Sequence, residues 1–241
     1  MEILQRMRDP NTFTPNTFTH VWVIIAAYNE AGVLARVITT VASYGYRVVV
    51  VDDGSKDDTH RIALASGAVA IQHPVNIGQG AALQTGITFA LAQGADAIVT
   101  FDADGQHRAS EIEFLLSALR RESAEFALGS RFLGPSPRIP LSRRLLLLLA
   151  TVFTRLTTGL RLTDTHNGLR AMTRQGATAI RMRQNRMAHA SEILSQIADS
   201  SFRYVEVPVT IDYTAYSLSK GQRIGDSLTI LSDLITEKLV R

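Results

Sequence analysis

Apolar runs rich in Val and Ile, at Val21–Ala26, Arg47–Val51 and Asp96–Phe101, each end in a polar turn and alternate with segments of helical period. This alternation constrains the fold more than any other feature of the chain. Strands joined through helices form βαβ units, and their helices cover both faces of a mostly parallel sheet. The pattern predicts helices over Glu30–Ser43, Asp57–Ser66, Gly80–Gln93 and Ser110–Arg120, with a further short strand over Ala68–Gln72. Ser110 followed three residues later by Glu113 reads as a capping box opening the last of these helices.

Beyond Gly129 the alternation fails, and Pro135, Pro137 and Pro140 mark a loop with little freedom to be helical. Leu141–Thr158 and Ala188–Asp199 then read as helices and Phe202–Val207 as a late strand. Ile224–Leu239 carries its apolar residues on one helical face. A chain of 241 residues accommodates one α/β domain with a full core, expected over 21–241 after a loose leader, 1–20. Within it, 21–130 reads as a half that carries the regular alternation and 131–241 as a half where it fails. The absence of cysteine excludes disulfides, thiolate metal sites and a cysteine nucleophile. The N-terminal residues lack the apolar core of a secretory signal, so a cytoplasmic location is expected.

In a parallel sheet, ligands sit beyond the carboxyl ends of the strands. Three polar turns occupy that position: Ala27-Tyr28-Asn29-Glu30, Asp52-Asp53-Gly54-Ser55 and Asp102-Ala103-Asp104-Gly105-Gln106-His107. All three are predicted to gather at one edge. Two aspartates separated by one residue converge on a hard cation when the backbone turns, and oxygen ligands suit Mg²⁺ or Mn²⁺, with Gln106 able to add another oxygen. The alternative is an Asp-rich turn preceding a helix. Asn76-Ile77-Gly78-Gln79-Gly80-Ala81 opens a helix with glycines that let a backbone approach an anion. The same glycines would also serve close helix packing. A dinucleotide fingerprint is excluded, because it should follow the first strand and needs a third Gly where this chain has Leu83.

Taken together, these segments resemble glycosyltransferase family 2, and within it the dolichol-phosphate mannose synthase-like branch. The resemblance spans nearly the whole chain after the leader. Ala27-Tyr28-Asn29-Glu30 matches a Pro-Ala-Tyr-Asn-Glu element from its second residue, with Ala26 in place of the proline. Asp52 to Asp57 matches the nucleoside-binding loop, and Asp102, Asp104 and Gln106 match the metal motif. Gly129-Ser130-Arg131 matches a phosphate-contacting segment, and Asp164 to Arg170 the later acceptor-side loop. The resemblance implies a GT-A fold, a nucleotide-sugar donor, a divalent metal and inversion at the anomeric carbon, with 21–130 as the nucleotide-sugar and metal half and 131–241 as the acceptor-side half. The implied donor site comprises Ala27, Tyr28, Glu30, Asp52, Asp53, Asn76, Gly80, Asp102, Ala103 and Asp104, with Tyr28, Glu30 and Asp53 on base and ribose. Carboxylates can accept from base or ribose donors, but they do not choose between uridine and guanosine.

The charge distribution bears on the acceptor. From Arg131 to Arg186 there are eleven Arg against one acid, Asp164, a local charge of +10 that leaves −7 for the rest of the chain. Such a block points to an anionic partner. The resembled branch commonly uses a polyprenyl phosphate or related lipid-linked acceptor. Arg131, Arg138, Arg143 and Lys220 are the candidate phosphate contacts, guanidinium being well matched to phosphate. A phosphate nucleophile needs no strong general base. A sugar hydroxyl would, and Glu192, His189 and His166 are then the candidates. Asp104, Arg131 and Glu192 are the expected catalytic residues.

The apolar run Leu145–Phe153 spans nine residues, against the roughly 20 needed to cross a bilayer. Flanked by Arg143, Arg144 and Arg155, it fits either a membrane-interfacial helix or one buried in the core or in an oligomer contact. Attachment would be peripheral, on the inner face of the cell membrane, or through a homo-oligomer or anchoring partner. Tyr213–Gln222 reads as a closing loop. Nucleic acid is not expected, because few aromatics accompany the arginines. Two rivals are weaker: a nucleotidyltransferase needs a Gly-rich, Arg-containing turn after the first strand, and a noncatalytic nucleotide- or membrane-binding subunit has no evident need for Asp102, Asp104 and Gln106 together.

Overall fold

The computed structural model describes residues 18–134, 141–183 and 189–212, with residues 141–146 as backbone alone. The 1–17 portion of the leader, the three prolines, Arg138, Lys220, the 213–222 loop and the 224–239 helix lie outside the described residues.

Seven strands form one sheet: β1 Val21–Ala27, β2 Arg47–Asp52, β3 Val69–Gln72, β4 Ala97–Asp102, β5 Phe126–Ser130, β6 Arg170–Thr173 and β7 Tyr204–Pro208. Their order is β3-β2-β1-β4-β6-β5-β7. The first four strands pair in parallel, as expected. β6 runs antiparallel between β4 and β5, and β7 pairs in parallel with β5.

Helices α1 Leu34–Ser43 and α4 Ile112–Arg121 cover one face; α3 Gln79–Ala92, α6 Arg174–Ala179 and α7 His189–Ala198 cover the other. The short α2, Thr59–Ala65, lies between β2 and β3, and α5 is Leu141–Thr158. β1 shows why the sheet is buried on both sides. Val23 and Ile25 pack with Leu34, Ile38, Leu115 and Leu116, while Trp22 and Ile24 pack with Leu83, Ile87 and Leu194. A strand sandwiched in this way reads as a continuous apolar run.

The capping box is not formed. The chain enters α4 through a 3₁₀ turn, Ala109–Glu111, with Arg108 extended at the cap position and no side-chain cap. Ser110 lies inside that turn, where its hydroxyl is no longer ahead of the first helical N–H groups. The Glu113 carboxylate instead accepts from Tyr46 Oη and Ser117 Oγ, both at 3.2 Å.

Candidate active site

Sheet register brings the three polar turns together. Ala27 pairs with Asp52 and Ala26 with Asp102, so the carboxyl ends of β2, β1 and β4 stand side by side. The turns after β1 and β2 are then stitched to each other. Asn29 takes a left-handed conformation, φ 55°, which Asn tolerates better than most residues. Its N–H donates to Ser55 Oγ and its Oδ1 accepts from Lys56 N, both at 2.8 Å. Glu30 N donates to Thr59 Oγ1 at 2.8 Å. Tyr28 is 40% exposed at this edge, while Ala27 and Ala103 are buried.

Asp52 and Asp53 are both buried and engaged by protein. Asp52 accepts from Ser55 N and from Gln72 Nε2, both at 3.0 Å. The Asp53 carboxylate accepts from Ile77 N at 3.0 Å and Gly78 N at 2.6 Å, and lies 2.8 Å from His73 Nδ1. His73 Nε2 reaches Thr85 Oγ1 on α3 at 3.0 Å. Asp53 therefore fixes the loop that opens α3, and sequence reading missed this brace. Gly54, at φ +72°, packs so closely on Val75 and Asn76 that a Cβ would overlap their backbone. Asn76 itself is exposed, and Gly80 is buried in the first turn of α3.

Asp102 ends β4. Its Oδ2 accepts from His107 Nε2 at 2.9 Å, and Gln79 Nε2 lies 3.4 Å from its Oδ1. Burial would raise its carboxyl pKa. The His107 hydrogen bond, with the charges of His107, Arg170 and His189, outweighs that and holds it below the usual carboxylate range. Asp104 behaves oppositely. Burial raises its pKa, the charge of Asp102 raises it further and Glu30 adds to the effect, against a partial offset from the Gln106 N–H at 3.0 Å and His107. Two close carboxylates, one already paying a like-charge penalty, suit a hard cation, and the amide of Gln106 on the same turn adds a neutral oxygen. The residues fit a divalent metal by the chemistry of this donor set. Among the described residues, no group of three His, Cys, Asp or Glu makes a cation site by itself.

The segment 164–170 closes over this turn from β6. Thr100 Oγ1 donates to Gly168 O at 2.7 Å, and a Cβ on Gly168 would overlap both Asp102 carboxylate oxygens. Arg131 is buried and braces the segment. Its N and Nε donate to Asp164 Oδ2 at 3.1 and 2.6 Å, and Nη2 donates to His166 O at 3.0 Å. Arg170 is also buried; desolvation lowers its pKa, against the opposing charges of Asp102 and Asp164. His166 is lowered chiefly by burial. Asn167 Nδ2 and His107 Nδ1 are buried without a hydrogen-bond partner among the described residues.

The candidate acceptor residues are more dispersed. Glu192 sits in the first turn of α7, and both its carboxylate oxygens accept from Arg183 N, at 3.0 and 2.9 Å. That carboxylate holds the 181–183 segment through the Arg183 N–H. Arg143 lies on α5, its side chain outside the described residues. No helix among the described residues is long and apolar enough to cross a membrane. Sequence reading gave no role to His107 or Gln79 and did not single out Arg170. The signal for Arg170 was its place in a strand unrecognised as one, where it pairs with Thr100 two residues before Asp102.

The model of glycosyl transferase family 2 matches residues 22–181. The chain belongs to that family. As a member it is a glycosyltransferase. It is 31% identical over 241 residues to a UDP-N-acetylglucosamine–dolichyl-phosphate N-acetylglucosaminyltransferase of Methanococcus voltae, covering 91% of this chain and 96% of that protein. It is also 31% identical to a polyprenol monophosphomannose synthase of Mycolicibacterium smegmatis, covering 91% and 88% respectively. Glucosyl-3-phosphoglycerate synthase from Mycobacterium tuberculosis, solved with Mn²⁺, UDP and phosphoglyceric acid, superposes with a TM-score of 0.70 at 21% identity. That superposition covers 90% of this chain and 77% of the synthase. The fold is thus GT-A, as the motifs implied.

Proposed function

We propose that this glycosyltransferase moves a sugar from a nucleoside diphosphate sugar to a polyprenyl phosphate, with inversion at the anomeric carbon. The observation that carries the reading is the Asp102–Asp104 turn, which sets two mutually repelling carboxylates beside the turns after β1 and β2 and the N-terminus of α3. The names of the two relatives, each an enzyme of a lipid phosphate, support the acceptor class. Asp102, Asp104 and Gln106 would hold Mg²⁺ or Mn²⁺, which when bound neutralises charge developing on the departing diphosphate. Tyr28 and Glu30 would face the nucleoside, with Asp53 setting the loop beneath it.

An acceptor phosphate oxygen attacks the anomeric carbon as the bond to the donor's diphosphate oxygen breaks, and the nucleoside diphosphate leaves. The acceptor oxygen is already anionic at neutral pH, so Glu192 is not required as a base. Arg131 positions the 164–168 segment over Asp102, while Arg138, Arg143 and Lys220 remain the proposed contacts to the acceptor phosphate. Membrane attachment would be peripheral.

Isothermal titration with UDP and with GDP, each with and without Mn²⁺, tests the donor site. One nucleotide should bind in a metal-dependent manner. Asp104→Asn should lose that binding and reduce turnover by about a hundredfold or more while remaining folded. If neither nucleotide binds wild-type protein, a noncatalytic role replaces this reading.

A further inference from the structure

The turn that carries Gln106 is clasped from outside the donor site. After β7 the chain runs alongside it, and His107 and Ile211 form an isolated antiparallel bridge. Asp212 N donates to Gln106 O at 2.9 Å, so both backbone polar groups of Gln106 are fixed, its own N–H being held by Asp104. On the far side of the bridge, both carboxylate oxygens of buried Glu111 accept from Thr210 N at 3.0 Å. A bidentate ion pair closes the open end. Arg108 Nε donates to Asp212 Oδ2 at 2.7 Å and Arg108 Nη2 to Asp212 Oδ1 at 2.6 Å. Arg108 is two residues from Gln106 and four from Asp104, and Asp212 is the residue whose N–H holds the Gln106 carbonyl.

We propose that Arg108 and Asp212 are positioning residues for the divalent-cation site, their bidentate pair locking the 104–107 turn in the conformation that presents Asp104 and Gln106 together. The inference rests on the metal reading above. The pair reaches the cation only through the backbone of the turn, and both side chains are about half exposed, 49% and 43%. It therefore acts on cation affinity and leaves the nucleoside contacts of the β1 and β2 turns alone. Planar fork geometry is what makes the lock directional, and a lysine at position 108 would keep the charge without the fork.

The test is calorimetric. Mn²⁺ affinity is measured in the presence of the preferred nucleoside diphosphate for wild type, Arg108→Ala, Asp212→Asn, Arg108→Lys and the exchanged double variant Arg108→Asp/Asp212→Arg. Nucleotide binding without metal is measured in parallel. Arg108→Ala and Asp212→Asn should each weaken Mn²⁺ binding about fivefold, the scale of a partly exposed ion pair. Metal-free nucleotide binding and the thermal midpoint should stay at the wild-type values. The exchanged variant should recover most of the lost affinity, Arg108→Lys should recover little, and the loss should shrink in high salt. Unchanged Mn²⁺ affinity in both single variants overturns the inference, as does an exchanged variant that folds and recovers nothing. Absence of metal-linked nucleotide binding in the wild type would instead overturn the donor-site reading itself, so the two failures are distinguishable.

Discussion

A methyl group added at position 168 would occupy the space now taken by the Asp102 carboxylate. Because that carboxylate is a side-chain end at the sheet's edge, it can be displaced without unfolding the core, and the damage falls on the site. Displacement on the order of 1 Å at a reacting centre costs about a hundredfold in rate. Gly168→Ala should therefore lose about tenfold to a hundredfold in turnover while its circular dichroism stays native; a folded variant with normal turnover would place the 164–168 segment away from the donor. Asp102 and Asp104 were legible in the sequence because their spacing and place after a strand carry chemical meaning. The protein partners of Asp53, Arg131 and Glu192 were not legible: Asp53 holds the loop opening α3, Arg131 pairs with Asp164, and Glu192 accepts from Arg183 N. Nothing local in a sequence tells which carboxylate a distant N–H will find.

Helix α3 sits close to β1 because Gly86 faces Ile24, and a Cβ there would overlap Ile24 Cγ2. Ile24 is wholly buried between the sheet and α3, with no space to yield. Gly86→Ala gains helix propensity of about 1 kcal/mol, yet overpacking costs about 1–3 kcal/mol. The net expectation is a lowered urea midpoint, and a raised midpoint would mean that the helix can shift outward freely. The α3 periodicity was readable, although the need for a small residue at 86 was not, since it depends on a strand some sixty residues earlier. Elements β1 to β4 and their helices were legible because continuous Val and Ile runs mark buried parallel strands. β5 and β6 were not. Their sequences, Phe126–Ser130 and Arg170–Thr173, contain no Val or Ile and are four or five residues long, too short to display a period. Pairing with β4 and β7 makes them strands, a tertiary cause invisible to local propensity.

At the scale of the whole molecule, β1 to β4 and their helices are tightly packed, whereas α5 carries an unbalanced surface. Helix α5 exposes Leu148, Leu149, Val152 and Leu156, the last to 80%, at spacings that put them on one side of the helix. Thr154 on the same helix is buried, so the helix is seated on the protein on one side and leaves an apolar strip on the other. The exposure of these leucines fits a membrane-interfacial helix or an oligomer contact better than a buried helix. Exposed Arg155 borders the strip, a cation beside apolar side chains that matches an anionic headgroup layer. A lipid-phosphate acceptor would be met at such a surface, with its headgroup phosphate near the basic segment and its chain in the bilayer. Replacing Leu148 and Leu156 together by Glu removes two apolar contacts, each worth about 1.5–3 kcal/mol when fully buried, and adds charge repelled by anionic lipid. Partitioning onto anionic vesicles should fall at least about tenfold, while turnover on a short-chain, water-soluble prenyl phosphate stays at the wild-type rate. If vesicle partitioning is unchanged and the protein instead shifts its oligomeric state, the strip is a contact between protein chains, and the acceptor must reach the site by another face.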